Sequence, residues 1–274
     1  MGTTRFALHS WTLDSTPLPE VLRIARETGW DALELRVVDF ERAAEAGRSE
    51  DEVIEMVRNC GLPVAAMGAR LGWMYADADE YRELLGILKS SFRRAVALGA
   101  PVVQCPVDFA SGDIRTAAER VRAVGDLAAE HGLRVALETY SIAEQFNTLV
   151  RGRQLLEAAG RHPAVGFDVD SYHVERGGEG FAAMNDLTLD EIVYVQYSDV
   201  PVNAGRPEPG NLLNRLPPGQ GVVPFDQFFG ILAAKGYAGY WSYEAPNTAT
   251  WERDPTEVAR EAMAATVAVY PASA

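Results

Sequence analysis

The chain is poor in the residues that cross-link a protein or make its surface basic. Its 274 residues include only two cysteines, Cys60 and Cys105, and the 25 Lys and Arg residues are outnumbered by 39 Asp and Glu residues. One cysteine lies at a predicted helix end and the other inside a predicted strand, which argues against a disulfide framework and favours a cytoplasmic location. Because the formal net charge of −14 repels polyanions, neither nucleic acid nor an anionic membrane is an expected partner.

Long apolar segments are also missing. No hydrophobic run approaches the roughly 20 residues that a membrane-spanning helix needs, and the segment from Met1 to Arg5 shows no signal for secretion. No linker, low-complexity tract or change of composition divides the chain. With 47% hydrophobic and 23% charged residues, we expect a single domain over residues 1–274 with a large core.

A helix-period segment that ends in glycine and leads at once into a short apolar run recurs along the chain. Leu18 to Thr28 has the spacing of an amphipathic helix, Gly29 is suited to the left-handed residue after a helix, and Asp31 to Leu35 has a strand pattern. The same order returns at four further places. The strands predicted there are residues 63–67, 101–105, 134–138 and 238–244.

Three more apolar runs, at residues 6–9, 165–170 and 193–198, bring the number of predicted strands to eight. Apolar strands that alternate with helices are typical of a parallel sheet covered on both faces. Eight such units predict an α/β fold, a single-domain (β/α)8 TIM barrel. The irregular stretch from Pro201 to Pro224 follows a strand end, where an active-site loop is expected. Asp254, before Pro255, predicts the start of the last helix.

In a parallel barrel, the side chains at the carboxyl ends of the strands meet in one mouth. The polar residues that end the predicted strands are His9, Glu34, Glu138, Asp170 with His173, Gln196 with Asp199, and Glu244. The third and fourth strands end in less informative residues, among them Gln104. Carboxylates that converge in one mouth raise one another's pKa values, and a divalent cation relieves that repulsion. Oxygen ligands favour Mg²⁺, Mn²⁺ or Co²⁺ over ions that prefer thiolates.

Each of these residues also has a purely structural interpretation. A lone Glu after a strand is more often solvated or a partner of the next helix start, and a lone histidine such as His173 is more often buried and hydrogen-bonded than a ligand. Asp170 could cap a turn, with Asp168 as the functional carboxylate instead. Gln196 is the most informative, because a buried amide without hydrogen-bond or metal partners costs about 2 kcal/mol or more. Arg215 is either an ordinary loop cation or a clamp for a substrate oxygen.

Four segments of the chain resemble the xylose-isomerase-like superfamily of TIM barrels. They are Ala136-Leu-Glu138, Asp170-Ser-Tyr-His173, Val195-Gln-Tyr-Ser-Asp199, and Arg215-Leu-Pro-Pro-Gly-Gln-Gly221 followed by Tyr243-Glu244. The superfamily contains sugar phosphate isomerases and epimerases, ketose 3-epimerases, inosose dehydratases, 3-dehydroshikimate dehydratases and repair endonucleases. In many epimerase-like members the third metal ligand is a histidine. Gln196 resembles instead the glutamine that members similar to bacterial 3-dehydroshikimate dehydratases carry there.

The resemblance implies one divalent metal ion, with Mn²⁺ expected first and Mg²⁺, Co²⁺ or Zn²⁺ as alternatives. Its implied ligands are Glu138, Asp170, Gln196 and Glu244. The expected contacts to the substrate are His173, Arg215, His9 and Trp11, since Trp11 follows a strand end and would line a pocket.

The expected activity is that of a divalent-metal-dependent isomerase or epimerase acting on a polyhydroxylated ketone, either a sugar or a cyclitol. Glu138 and Glu244 would move a proton next to the carbonyl while the metal stabilises the enediolate. The first alternative is a lyase or dehydratase of the 3-dehydroshikimate dehydratase or keto-glycoside-eliminating type. The second is a non-catalytic barrel subunit that needs a partner, so a homo-oligomer and a hetero-subunit both stay open.

Overall fold

Eight parallel strands close into a barrel in the computed structural model, which describes residues 5–208 and 211–270. The strands are β1 (Arg5–His9), β2 (Ala32–Leu35), β3 (Val64–Gly68), β4 (Val102–Pro106), β5 (Arg134–Glu138), β6 (Val165–Asp170), β7 (Ile192–Tyr197) and β8 (Tyr240–Tyr243). Each strand pairs with its neighbours in the chain, and β8 pairs with β1 to complete the ring. The predicted (β/α)8 TIM barrel is confirmed. Residues 1–4 and 271–274, and residues 209–210 of the predicted loop, lie outside the described residues.

Helices cover the outside of the barrel. In the described residues they are α1 (Leu18–Glu27), α2 (Val37–Glu45), α3 (Glu50–Asn59), α4 (Ala78–Leu98), α5 (Ile114–Glu130), α6 (Leu149–Ala158), α7 (Ser171–Gly177), α8 (Phe225–Ala234) and α9 (Pro255–Val269). The prediction that glycines follow the helices in a left-handed conformation is confirmed at Gly29 after α1 and Gly99 after α4, where φ is +86° and +70°. Helix α2 is not predicted by the sequence, because only Arg36 separates it from β2 and no polar loop marks its start. No helix in these ranges is long and apolar enough to cross a membrane.

The barrel interior changes from apolar to polar along its axis. Small side chains fill the amino-terminal part, among them Ala7, Ala32, Ala66 and Ala136, together with Tyr194. Above them the alternate strands β2, β4, β6 and β8 contribute four buried inward-facing residues. These are Glu34, Gln104, Asp168 and Ser242, called here the interior polar layer. This layer lies directly beneath the strand ends, so it forms the floor of the mouth.

Candidate active site

The four residues expected to hold a metal lie at the carboxyl ends of four strands. Glu138 ends β5 and Asp170 ends β6. Gln196 is the penultimate residue of β7, and Glu244 follows β8 directly. Asp170 and Gln196 are partners in the β6–β7 register. All four side chains are buried, with at most 5% of any residue exposed. Burial of three carboxyl groups and an amide at one end of a barrel demands compensating partners.

Arg215 supplies part of that compensation. Its Nη1 lies 2.9 Å from Asp170 Oδ2 and 2.8 Å from Glu244 Oε2, and its Nη2 lies 3.1 Å from His173 Nε2. Arg215 as a whole is only 1% exposed. Arg215 therefore bridges two of the expected ligands within the site, and its expected contact to a substrate stays a prediction.

Asp199 holds the loop that brings Arg215 to this position. Its carboxylate accepts hydrogen bonds from the backbone N–H groups of Gly221 at 2.7 Å and Val223 at 2.9 Å. Gly221 is required there, because a Cβ on it would lie 2.1 Å from the carbonyl oxygen of Val200. The Pro-Pro-Gly-Gln-Gly segment thus folds back under Asp199, in keeping with the expected active-site loop between Pro201 and Pro224.

His173 lies with its Nε2 beside the carboxyl groups of Glu138 and Asp170. Burial, and next the charge of Arg215, lowers the pKa of His173 well below its usual value, so the ring is neutral. Arg215 directs an N–H group at Nε2, while Nδ1 lies 3.2 Å from the backbone nitrogen of Ser141 and 2.9 Å from Ser141 Oγ, so both ring nitrogens have protein partners. Nε2 also lies 3.4 Å from Glu138 Oε1 and 3.7 Å from Asp170 Oδ2, and it could bind a metal only in place of its contact with Arg215. Glu138, Asp170 and His173 each offer one ligand atom, all within 4.8 Å of one another.

Glu138 has one engaged oxygen and one unpaired oxygen. Gln104 Nε2 donates to Glu138 Oε2 at 2.7 Å, whereas Oε1 is buried without a hydrogen-bond partner among the described residues. Burial, followed by the charges of Glu244 and Asp168, raises the pKa of Glu138 well above its usual value. Gln104, expected to be less informative, thus contacts an expected ligand directly. The signal that marks Gln196, an amide inside an apolar strand, was present at Gln104 as well.

The donor set fits a divalent cation. Burial also raises the pKa values of Asp170 and Glu244, so the three carboxyl groups cannot all be ionised here without more positive charge than Arg215 carries. Among the four expected ligands, two buried oxygens lack a hydrogen-bond partner within the described residues, Glu138 Oε1 and Gln196 Oε1. Carboxylate and amide oxygens beside an imidazole nitrogen are the donors that Mn²⁺, Co²⁺ or Zn²⁺ take in proteins.

A cavity of about 310 Å³ opens above this cluster. Its lining includes Glu138, Glu244, His9, Trp11, Tyr140 and Arg36. His9 Nδ1 accepts the backbone N–H of Trp11 at 3.0 Å, so the ring proton lies on Nε2, 3.3 Å from Glu244 Oε1. Larger cavities of about 440 and 550 Å³ lie elsewhere, between α1 and α2 and at the amino-terminal end of the barrel, and neither touches the cluster.

Comparison with known proteins agrees with this fold. Residues 22–268 match the profile of the family described as "Xylose isomerase-like TIM barrel". The chain is 24% identical over 268 residues to an inosose isomerase of Halalkalibacterium halodurans, covering 94% of this chain and 93% of that protein. It is 27% identical over 236 residues to a 3-dehydroshikimate dehydratase of Pseudomonas putida, covering 85% of this chain but only 36% of that longer protein.

Solved structures give the same picture of the fold. A crystal structure of the IOLI protein with a bound zinc atom superposes with a TM-score of 0.88 at 18% sequence identity, covering 98% of this chain and 100% of that one. At this level of identity the likeness shows the fold alone. The resemblance expected from the four sequence segments is thus confirmed for the family, and an enzymatic role is supported at the level of the family.

Proposed function

The chain belongs to the xylose isomerase-like TIM barrel family, and on that premise we propose that it is a divalent-metal-dependent isomerase or epimerase of an uncharged polyhydroxylated ketone. An inosose, a cyclitol that carries one ketone, is the substrate class of first choice, because the inosose isomerase relative is matched along nearly its whole length. The observation that carries the proposal is the cavity lined by both Glu138 and Glu244, directly above buried donors that lack partners.

Glu138 is the group that we assign to proton removal. Its Oε1 is free, its other oxygen is fixed by Gln104, and its raised pKa makes it a stronger base than an exposed carboxylate. Glu244 comes from the strand that lies three positions further around the barrel, and it lines the same cavity. If Glu138 takes the proton from the carbon next to the ketone and returns it to the neighbouring carbon, while a hydroxyl proton moves to the former carbonyl oxygen, the result is isomerisation. If Glu244 protonates the first carbon on the other face, the result is epimerisation.

Asp170, Gln196 and Glu244 would hold the cation together with the Glu138 oxygen that does not take the proton. His173 would add a nitrogen donor only in place of its contact with Arg215. When bound, a divalent cation supplies the positive charge that stabilises an oxyanion next to the reacting carbon. Mn²⁺ is the ion proposed first, with Mg²⁺, Co²⁺ and Zn²⁺ as alternatives. The bound zinc of the IOLI protein supports a divalent ion in this fold and leaves its identity in this chain to measurement.

The charges around the cavity support an uncharged substrate. Arg36 Nη2 lies 2.6 Å from Asp14 Oδ1, and Arg70, also in the lining, is paired with Glu41. Arg215 is already engaged by two carboxylates. Each described guanidinium at or below the mouth therefore has a carboxylate partner, and a substrate carboxylate or phosphate would have to compete with it. Hydroxyl groups face no such competition and can bind to His9 Nε2 and the carboxylates.

The second candidate is a dehydratase of the 3-dehydroshikimate type. Gln196 favours it, as does the relative from Pseudomonas putida, although this chain spans only about a third of that protein. Both reactions begin with removal of a proton next to a carbonyl, and they differ in whether an oxygen then leaves from the adjacent carbon.

One experiment separates these candidates. The protein is incubated with Mn²⁺ in D₂O with ketohexoses, inososes or 3-dehydroshikimate, and the products are followed by NMR and ultraviolet absorbance. Deuterium incorporation into an inosose or ketohexose without loss of water supports the proposal, whereas an absorbing conjugated product supports the dehydratase. Exchange with none of them contradicts the substrate class, and full turnover by chelator-treated protein contradicts the metal dependence.

Matched variants make the result specific to the site. Glu138→Gln should abolish exchange because the neutral amide cannot accept the proton. Glu55→Gln makes the same chemical change at an exposed position on α3 and should leave exchange intact. A non-catalytic subunit that needs a partner would show no exchange in either variant or in the parent protein.

A further inference from the structure

We propose that Glu34, in the interior polar layer, is a positioning residue that fixes the orientation of the Gln196 amide and aims its carbonyl oxygen at the metal cluster. The inference rests on the proposed metal site and goes beyond it, because Glu34 is not one of the proposed ligands. It is the penultimate residue of β2, on the far side of the barrel from the ladder between β6 and β7 that carries Asp170 and Gln196.

The contact that carries the proposal is a buried hydrogen bond across the barrel. Gln196 Nε2 donates to Glu34 Oε1 at 3.0 Å, and the two residues are 162 positions apart in the chain. Both are 0% exposed, so water does not compete for either group. Gln196 Oε1 at the other end of the amide has no partner among the described residues.

An amide ligand poses a problem that a carboxylate does not. Its oxygen and nitrogen have almost the same shape, but only the oxygen can bind a cation. A half-turn of the Gln196 amide would present N–H groups to the cation and lose the ligand. When ionised, Glu34 opposes that turn, because a carboxylate only accepts hydrogen bonds and therefore favours the nitrogen end of the amide.

His9 lies close to Glu34 as well as to Glu244. His9 Nε2 lies 3.6 Å from Glu34 Oε1 as well as 3.3 Å from Glu244 Oε1. Glu34 Oε1 is therefore placed beneath both an expected ligand and an expected substrate contact. Asp168 lies in the same layer, yet neither of its oxygens has a hydrogen-bond partner within the described residues. It therefore offers a matched buried carboxylate that does not hold Gln196.

The test is a double-mutant cycle on metal affinity, measured by titration of the metal-free protein with Mn²⁺ and with Co²⁺. Glu34→Leu removes the acceptor, and loss of such an outer partner of a metal ligand weakens binding by about 10–100-fold. Gln196→Ala should weaken binding to a similar extent. If Glu34 acts through Gln196, the double variant binds no more weakly than Gln196→Ala alone, because the two changes remove the same ligand.

Asp168→Asn separates orientation from charge. It removes a neighbouring ionisable carboxyl group without touching the Gln196 amide, so its effect should be the same in the parent and in Gln196→Ala. The visible absorption spectrum of bound Co²⁺ adds a readout of ligand number, and Glu34→Leu should reproduce the spectrum of Gln196→Ala. Glu34→Gln, which keeps the volume and one acceptor oxygen, enters the same cycle should Glu34→Leu not fold.

The outcomes distinguish the inference from the function on which it rests. If the parent protein binds neither Mn²⁺ nor Co²⁺, the proposed metal site is wrong. If the parent binds but the effects of Glu34→Leu and Gln196→Ala multiply, Glu34 acts by charge alone and the positioning role is overturned. Parent-like affinity in Glu34→Leu overturns it equally.

Discussion

Gln104 Nε2 donates to Glu138 Oε2 at 2.7 Å, and this bond leaves Oε1 of the same carboxyl group as its only unpaired oxygen. The amide comes from β4 and the carboxyl from β5, so neighbouring strands fix the atom to which proton removal is assigned. Gln104 thus determines which way Glu138 faces, although it was expected to be less informative than the other strand-end residues.

We expect Gln104→Ala to lower kcat by about tenfold or more. Without the amide, the buried Glu138 carboxyl group loses a hydrogen bond and can rotate, at a cost of about 1–3 kcal/mol. Steady-state kinetics on the substrate found in the D₂O screen measure the effect. Gln227→Ala, on the exposed face of α8, is the control and should have parent kinetics. A Gln104→Ala enzyme with parent kcat would contradict the assigned role.

Arg215→Met should destabilise the metal-free protein strongly. The change leaves Asp170 and Glu244 without their shared cation in a buried site, and breaking a buried pair in this way costs about 3–5 kcal/mol. Arg23→Met removes an exposed ion pair on α1 and should cost about 0–1 kcal/mol. Urea unfolding of both variants in chelator gives the two values, and equal losses would show that Arg215 has no special electrostatic role.

The stability of the metal-free protein should fall as pH rises. Burial, and next the charge of Glu244, raises the pKa of Glu34 from 4.5 to about 8. A carboxyl group whose pKa is raised on folding stabilises the native state fully below its unfolded pKa, and this contribution is lost as pH rises through the folded value. Thermal unfolding in chelator should therefore show a lower Tm at pH 8 than at pH 5.

Two controls accompany that measurement. Glu34→Gln cannot ionise, so it should reduce the dependence on pH, while a parent Tm that rises from pH 5 to pH 8 would oppose the assigned direction. Mn²⁺ should restore stability most at high pH, because cation binding requires ionised carboxylates and releases their protons. Calorimetric titration in buffers of different ionisation enthalpy measures that release.

Gly221→Ala should disrupt the loop that carries Arg215. A Cβ at this position meets the Val200 carbonyl oxygen at 2.1 Å, so the backbone must move away from Asp199. We expect a loss of at least 1 kcal/mol of stability, typical of overpacking, together with reduced turnover. Gly230→Ala in α8 has open space around the new methyl group, and alanine favours a helix by about 1 kcal/mol. If both variants behave alike, the close approach at Gly221 is unimportant.

The sequence by itself determined the barrel and the positions where polar side chains would meet. Helix periodicity, the glycine after a helix such as Gly29 or Gly99, and short apolar runs are local signals. Each can be recognised without knowing what packs against it. The predicted strands 134–138 and 165–170 coincide with β5 and β6, and the bounds of the other strands differ by at most two residues. The topology also predicted that the functional side chains would lie at the strand ends, because a closed parallel barrel brings the carboxyl ends of its strands together.

Only the tertiary structure decided which of those polar groups contact one another. Arg215 reaches Asp170 across 45 residues and Gln196 reaches Glu34 across 162, through a loop path and a register that no local pattern encodes. The orientation of the His173 ring and of the Glu138 carboxyl group depends on hydrogen-bond partners from distant parts of the chain. Local periodicity fixes which residues face inward, whereas long-range packing fixes which atom of each residue is left free to bind.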